Sequence, residues 1–226
     1  GWHDGVFVLP NGQIGESEER WIYQSGTASA NPFKQAGTLA DWQTTVGALC
    51  AGNTRLTFAV SAALAGCTLD ITGMESGGFH YRGSSSTGKT SALRVAASVF
   101  GGKDYMQKWR TTDNALEGMA AQYSDTVLIL DEIGTMDGKI VGEAAYMLAN
   151  GAGKSRSSKT GALKQSLTWR LLFLSSGETS LNEHMEASGK RTRAGQETRL
   201  PDIPANAERG MGLFETLHGA DGGATF

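Results

Sequence analysis

From residue 79 to residue 205 the chain alternates between two hydrophobic spacings. Phe79-His80-Tyr81-Arg82 reads as a short strand. Val127-Leu128-Ile129-Leu130 and Trp169-Arg170-Leu171-Leu172-Phe173-Leu174 are longer apolar runs. Runs of this kind suit strands buried on both faces of a parallel sheet. Between them, apolar residues recur three and four apart, the spacing of a helix face. Leu93, Val95, Ala96, Val99 and Phe100 form one such set, ended by Gly101-Gly102. Leu116, Met119 and Ala120 form a second behind a cap at Asp113. A third helix runs from about Lys139 to Ala149 and stops at Asn150-Gly151. Ser180 with Glu183 makes a capping box for a fourth, to about Ala187. Gln107 to Thr112 reads as a short strand. Leu200 to Ala205 reads as a last one, weakened by its two prolines. The alternation predicts a parallel α/β sheet of about five strands flanked by helices.

Two further helices precede that core. Leu39, Trp42, Val46 and Leu49 share one spacing, and Leu56, Val60 and Ala63 share another after a cap at Asn53. Nearer the start, Val6-Phe7-Val8-Leu9, Pro10-Asn11-Gly12 and Gln13-Ile14 predict a hairpin with an Asn-Gly turn. Trp21-Ile22-Tyr23 reads as its third strand, and residues 25–37 as a Gly/Ser/Ala/Pro-rich linker. The predicted organisation is a small β appendage and linker at 1–37, then one domain at 38–226. That domain divides into helices at 38–66, a core at 78–205 and a short tail at 206–226.

Composition narrows this picture without changing it. A chain of 226 residues is long enough for one large core. The net charge of -3 sets up no global field that calls for nucleic acid. The charge is uneven, however: residues 1–82 carry seven Asp/Glu and four Lys/Arg, whereas residues 151–177 carry five Lys/Arg and no acid. Cys50 and Cys67 sit in apolar helical stretches and form neither a disulfide framework nor a metal motif, which implies a reducing cytoplasm. No stretch approaches the eighteen apolar residues of a membrane span. The chain opens on Gly1 rather than Met and closes on Gly-Gly-Ala-Thr-Phe, as a piece cut from a longer protein would.

The chemistry centres on Gly83-Ser84-Ser85-Ser86-Thr87-Gly88-Lys89-Thr90, which fits G-x-x-x-x-G-K-[ST] at every fixed position. Glycine lets the backbone curl closely around phosphate, and successive N–H groups then make an anion nest. The helix opening at Ser91 adds its positive end. Lys89 would reach the β- and γ-phosphates of ATP, and Thr90 would give its hydroxyl to Mg²⁺. Strand, loop and helix follow in the order this mechanism needs.

Asp131-Glu132, directly after an apolar strand, supplies a second half. The aspartate would hold Mg²⁺ through its water shell, and the glutamate would polarise an attacking water. Ser175 and Ser176, at the end of another strand, fall where a hydroxyl could orient that water. Ligands in such sheets bind beyond the carboxyl ends of the strands, where all three groups converge. Arg191, Arg193 and Arg199 lie in a basic loop before the last strand. One of them, supplied in trans, could stabilise the charge that develops on phosphate. Lys154, Arg156, Lys159 and Lys164 form a basic insertion suited to nucleic-acid phosphates or to a solvated loop. His3, His80, His184 and His218 have no metal-ligand spacing and read as structural or surface residues. The Asn-Lys-x-Asp guanine signature is absent, which argues against a GTPase.

Together these residues resemble the AAA+ and superfamily 3 helicase group. Gly83 to Thr90 matches Walker A and Leu130-Asp131-Glu132 matches Walker B. Ser175-Ser176 matches sensor 1, and the Arg191/Arg193 loop falls where an arginine finger sits. Longer patterns resemble an uncharacterised-domain family in the C-terminal halves of phage, plasmid and genomic-island primase-helicase proteins. They are residues 1–10 (Gly-Trp-His-Asp-Gly-Val-Phe-Val-Leu-Pro), 78–83, 146–151 and 189–197. That family is similar to replicative helicases of mobile elements, including minichromosome-maintenance-like ones. The resemblance implies an ATP-driven homo-oligomeric ring, hexameric by analogy, moving on single-stranded or forked DNA. It also implies a primase-like or DNA-binding region upstream. The chain departs from the AAA+ pattern in ending soon after the last strand, so the usual helical lid is missing or very short. The alternative is an ATP-dependent protein-remodelling or switch module, which needs no basic insertion. A phosphate-transferring kinase would not need Glu132, and the intact Lys89, Thr90, Asp131 and Glu132 argue against a module that binds without hydrolysing.

Overall fold

The computed structural model describes residues 1–23, 31–154, 156–157, 163–164, 166–190, 195 and 198–222; for 156–157 and 163–164 it describes the backbone alone. The chain opens with a three-stranded antiparallel sheet, β1 (Trp2–His3), β2 (Val6–Leu9) and β3 (Gly12–Ile14). The predicted hairpin of β2 and β3 forms, but its turn falls on Pro10-Asn11, and Gly12 already pairs with Leu9. The third strand is Trp2–His3 rather than Trp21–Tyr23. Trp2 is held against the core: its N–H donates to Asp125 Oδ2 (2.9 Å) and its indole N–H to the Cys67 carbonyl (2.7 Å). Trp21 instead gives its backbone N–H to the Gln13 side chain, outside the ladder.

The helical region that follows is interrupted. α1 (Leu39–Trp42) starts with a capping box between Thr38 and Asp41, passes through a π-turn at Gln43–Gly47 and continues as α2 (Ala48–Cys50). α3 (Thr54–Gly66) and the short α4 (Leu69–Thr72) come next. Asn53 stands at the N-cap position of α3, but its side chain caps nothing. It is fully buried and bonds to the distant Glu215 and Thr216 instead.

The central sheet is built from β4 (Gly77–Arg82), β5 (Gln107–Lys108), β6 (Val127–Asp131), β9 (Leu172–Gly177) and β10 (Asp202–Pro204). All pairs are parallel, in the spatial order β10-β4-β9-β6-β5. The five-stranded parallel sheet flanked by helices is therefore present. Val127 to Leu130 are wholly buried, as their unbroken apolar run requires. β10 tolerates Pro201 and Pro204 because it is an edge strand and serves β4 with carbonyls: His80 N–H donates to Pro201 O and Gly78 N–H to Arg199 O.

Helices α5 (Lys89–Ala97), α6 (Asp113–Gln122), α7 (Gly138–Asn150) and α8 (Leu181–Ala187) complete the core. α3 and α5 pack on each other and on β6 and β9, while α7 packs across β4 and against α6 and α8. The cap of α6 is Thr112 rather than Asp113, because the Thr112 hydroxyl accepts from Ala115 N–H. The Ser180–Glu183 capping box forms on α8. The expected loop at 151–166 contains paired backbone: β7 (Arg156–Ser157) runs antiparallel to β8 (Leu163–Lys164).

Candidate nucleotide site

The phosphate loop lies between β4 and α5, at the carboxyl end of the sheet. Gly83 N–H is held by the Gly177 carbonyl at 3.1 Å, which ties the loop's start to the end of β9. Ser84, Ser85 and Ser86 are exposed. Ser86 and Gly88 adopt positive φ (63° and 93°), as a loop that turns its N–H groups inward requires. Thr87 Oγ1 donates to Ser84 O at 2.9 Å and braces the turn. Lys89 is buried, and its ammonium donates to the Gly83 and Ser84 carbonyls (2.7 and 2.8 Å). It is therefore fixed across the mouth of the loop. Thr90 and Ser91 open the first turn of α5, both half-buried.

The acidic half meets this loop. Thr90 Oγ1 lies 3.5 Å from Asp131 Oδ1. The hydroxyl of Ser176 donates to the same carboxylate oxygen at 2.6 Å and accepts the Glu132 N–H at 3.0 Å. One serine thus orients the side chain of Asp131 and the backbone of Glu132. Glu132 itself adopts φ 59°, a left-handed conformation that a non-glycine residue takes at some cost. Among the described residues, nothing bonds or pairs with its half-buried carboxylate.

The two adjacent serines separate in role. Ser175 faces the interior, wholly buried, with its hydroxyl 2.8 Å from both Trp109 Nε1 and His80 Nδ1. The directions can be assigned. The Thr179 carbonyl can only accept, so His80 Nε2 carries the proton it donates over 3.0 Å. Nδ1 then accepts from Ser175, which in turn accepts from the indole. Burial pushes the His80 imidazole down to about 4, against the opposing effect of the Thr179 bond. Both Ser175 valences are occupied below the sheet's end, so it holds the strand rather than facing the rim. Nothing local in the sequence distinguishes Ser175 from Ser176.

Arg199 lies at the opposite end of the sheet. Its carbonyl accepts from Gly78, five residues of strand from Gly83, or about 16 Å. Its guanidinium bonds Asn150 Oδ1 and sits 5.0 Å from the Tyr146 ring centroid. It cannot reach the phosphate loop of its own subunit. Arg191 and Arg193 lie outside the described residues. Lys154 is engaged: its ammonium pairs with Asp113 at 2.6 Å. Arg156 and Lys164 are placed by backbone only, opposite each other in the β7/β8 ribbon. Lys159 lies outside the described residues.

Thr90 and Asp131 present hard oxygen donors beside each other, the kind of ligand Mg²⁺ accepts, and Ser176 orients the carboxylate. No group of three His, Cys, Asp or Glu is placed to hold a metal among the described residues. A cation here would therefore take its remaining ligands from water and phosphate, as Mg²⁺ does.

Residues 1–168, which contain both the phosphate loop and Asp131-Glu132, match the family described as Domain of unknown function (DUF927). The chain belongs to this family. No curated protein matches the chain. Among solved structures, this DUF927 chain resembles the active helicase Cch of SCCmec type IV, with a TM-score of 0.63 and 20% identity over 88% of its residues. It spans 37% of that protein's length. Looser likenesses are the S. cerevisiae Hsp104–ADP complex (TM-score 0.41, 14% identity, 79% of this chain and 38% of that one) and NtrX from Brucella abortus with ADP (TM-score 0.36, 16% identity, 76% and 37%). No helix among the described residues is long and apolar enough to cross a membrane.

Proposed function

We propose that the chain is an ATP-hydrolysing module that drives movement on nucleic acid. The observation that carries the hydrolytic part is the convergence of Lys89, Thr90, Asp131, Ser176 and Glu132 at one end of the sheet. Lys89 and the loop N–H groups bind the phosphates. When bound, Mg²⁺ supplies positive charge that offsets the charge developing on the phosphate oxygens. Asp131 and Thr90 would hold it, and Ser176 keeps the Asp131 carboxylate turned that way. Glu132 is the base: its free carboxylate accepts a proton from the attacking water. Of the two serines at the sensor position, Ser176 is the one that touches the acidic pair, and it acts by positioning Asp131 and Glu132.

Support for the nucleic-acid part comes from elsewhere. The basic insertion between β6 and β9 is a β-ribbon at its described ends, a form that can project from a subunit towards a strand of DNA. One structure this chain resembles is a helicase. Arg199, unable to serve its own site, and the neighbouring Arg191 and Arg193 fit service to an adjacent subunit in a homo-oligomeric ring. The deciding experiment measures ATP turnover against protein concentration, with and without single-stranded DNA. A rate that rises cooperatively and is stimulated by DNA is expected. Cooperative turnover indifferent to DNA would replace this reading with a protein-remodelling or switch ATPase.

A further inference from the structure

The chain does not end functionally at its last strand. Ala205 N–H donates to the Arg82 carbonyl at 2.7 Å, and a loop closed by Ala207 N–H to Gly212 O (2.7 Å) returns the chain towards the phosphate loop. Leu213 N–H then donates to the Thr87 carbonyl at 2.8 Å. Leu213 and Phe214 are buried, and a Cβ on Gly88 would come within 3.2 Å of both side chains. Gly212 has φ +64°, and a Cβ there would stand 2.7 Å from the Thr87 oxygen. The two segments meet so closely that each contributes a glycine to the contact.

Past this point the tail is fastened to the start of α3. Asn53 Oδ1 accepts the N–H groups of Glu215 (2.8 Å) and Thr216 (3.1 Å), and its Nδ2 donates to Leu49 O and Thr216 O (3.1 and 3.0 Å). A buried amide with every valence filled fixes its partners firmly. The Glu215 carboxylate accepts from Thr54 N–H and from Arg55 Nη1, each at 3.0 Å, and from the Thr54 hydroxyl. Arg55 also holds the Pro204 and Asn206 carbonyls (3.1 and 3.2 Å). One arginine thereby joins the end of β10 to the tail.

We propose that residues 211–216 are a strap that holds the phosphate loop in its anion-binding conformation. The Thr87–Gly88 peptide unit is planar and trans, so its C=O and N–H point in opposite directions. Anchoring the Thr87 carbonyl on Leu213 N–H aims the Gly88 N–H away from the strap. Gly88 is the N-cap of α5, and its N–H is one of the helix's free initial donors. Such donors are the groups a phosphate loop presents to its anion. Lys89 holds the Gly83 and Ser84 carbonyls, and the strap holds a third carbonyl of the same loop. By linkage, an anion that stabilises the loop also stabilises the strap.

This inference rests on the nucleotide reading of the site, and the test separates the two. Hydrogen exchange and ATP calorimetry are compared for wild type and Gly212→Val, well below the melting temperature. The branched side chain cannot fit against Thr87, so the strap lifts. Amides at 84–90 should exchange about tenfold faster without nucleotide, and ATP affinity should fall about tenfold. In wild type, ATP with Mg²⁺ should slow exchange at 211–216. Glu215→Ala, which loosens only the far anchor and serves if Gly212→Val does not fold, should move both readouts about threefold in the same direction. A lower melting temperature with loop exchange and ATP affinity within about twofold of wild type would overturn the strap and leave the tail as packing alone. Wild type that binds no ATP would overturn the nucleotide reading, and the exchange comparison at 84–90 would still decide the strap.

Discussion

β6 is flanked by two acidic residues with the same unusual backbone. Asp125 precedes it at φ 58° and Glu132 follows it at φ 59°. Their carboxylates have opposite fates. Asp125 is buried, accepting from Trp2 N–H at 2.9 Å and from Arg170 Nε at 2.8 Å. It ties the amino-terminal sheet and the approach to β9 to the core. Glu132 is half-buried, and nothing among the described residues occupies its carboxylate. Strained backbone alone therefore does not mark a reactive site. Glu132 differs in that other contacts hold its strained backbone without using the carboxylate. At Glu132 those contacts are the Ser176 hydroxyl on its N–H and the turn at Ile133–Thr135.

Neighbouring serines on β9 repeat the contrast. Alternation along a strand sends Ser175 to a network on one face and Ser176, equally buried, to the other, beside the rim. The network holds the strand end from beneath, and the rim hydroxyl aligns the two acidic residues above.

The contrast between the two acids breaks most sharply at Glu132. Glu132→Gln should keep ATP affinity and lose about 10²–10⁴ of turnover, since general-base removal costs that much. Turnover at the wild-type rate would place water activation elsewhere. The buried network comes next. The His80 imidazole is held near 4 in the fold against 6.5 unfolded. Between those values the unfolded chain binds more protons, so stability is full above about 6.5 and falls as pH drops towards 4. The loss is on the order of 3 kcal/mol. Urea unfolding at pH 7 and pH 4.5 should show a larger drop for wild type than for His80→Gln, and equal drops would clear His80. The last two tests give both acids the same change. Asp125→Gly relieves the backbone but strands the Trp2 N–H and weakens the hold on Arg170, so stability should fall by about 1–3 kcal/mol. Glu132→Gly relieves the same strain and strands nothing, so the melting temperature should rise, by up to about 1 kcal/mol of stability. If both variants moved in the same direction, the distinction between a used and an unused carboxylate would fail.

Much of the fold was readable because its signals are local. The buried run at 127–130, the Ser180–Glu183 box and the hairpin of β2 and β3 each depend on a few adjacent residues. The misplaced third strand shows the limit. Trp21 reads as strand material, but the strand forms at Trp2, which is held by Cys67 and Asp125, far along the chain. Asn53 shows it again. Its place before α3 is legible, but its side chain follows Glu215 and Thr216, over 160 residues away.

The sequence by itself determined most of the elements of the core and which residue types gather at the carboxyl ends of the strands. Hydrophobic period, capping and the phosphate-loop spacing act over a few residues and need no distant partner. Only the tertiary structure decided which group of each kind is free to act. It engaged Ser175, Asp125 and Lys154 in bonds, left Glu132 free, placed Arg199 beyond reach of its own site and laid the tail against Thr87. Each of these outcomes depends on hydrogen bonds between segments that only folding brings within 3 Å or so of one another.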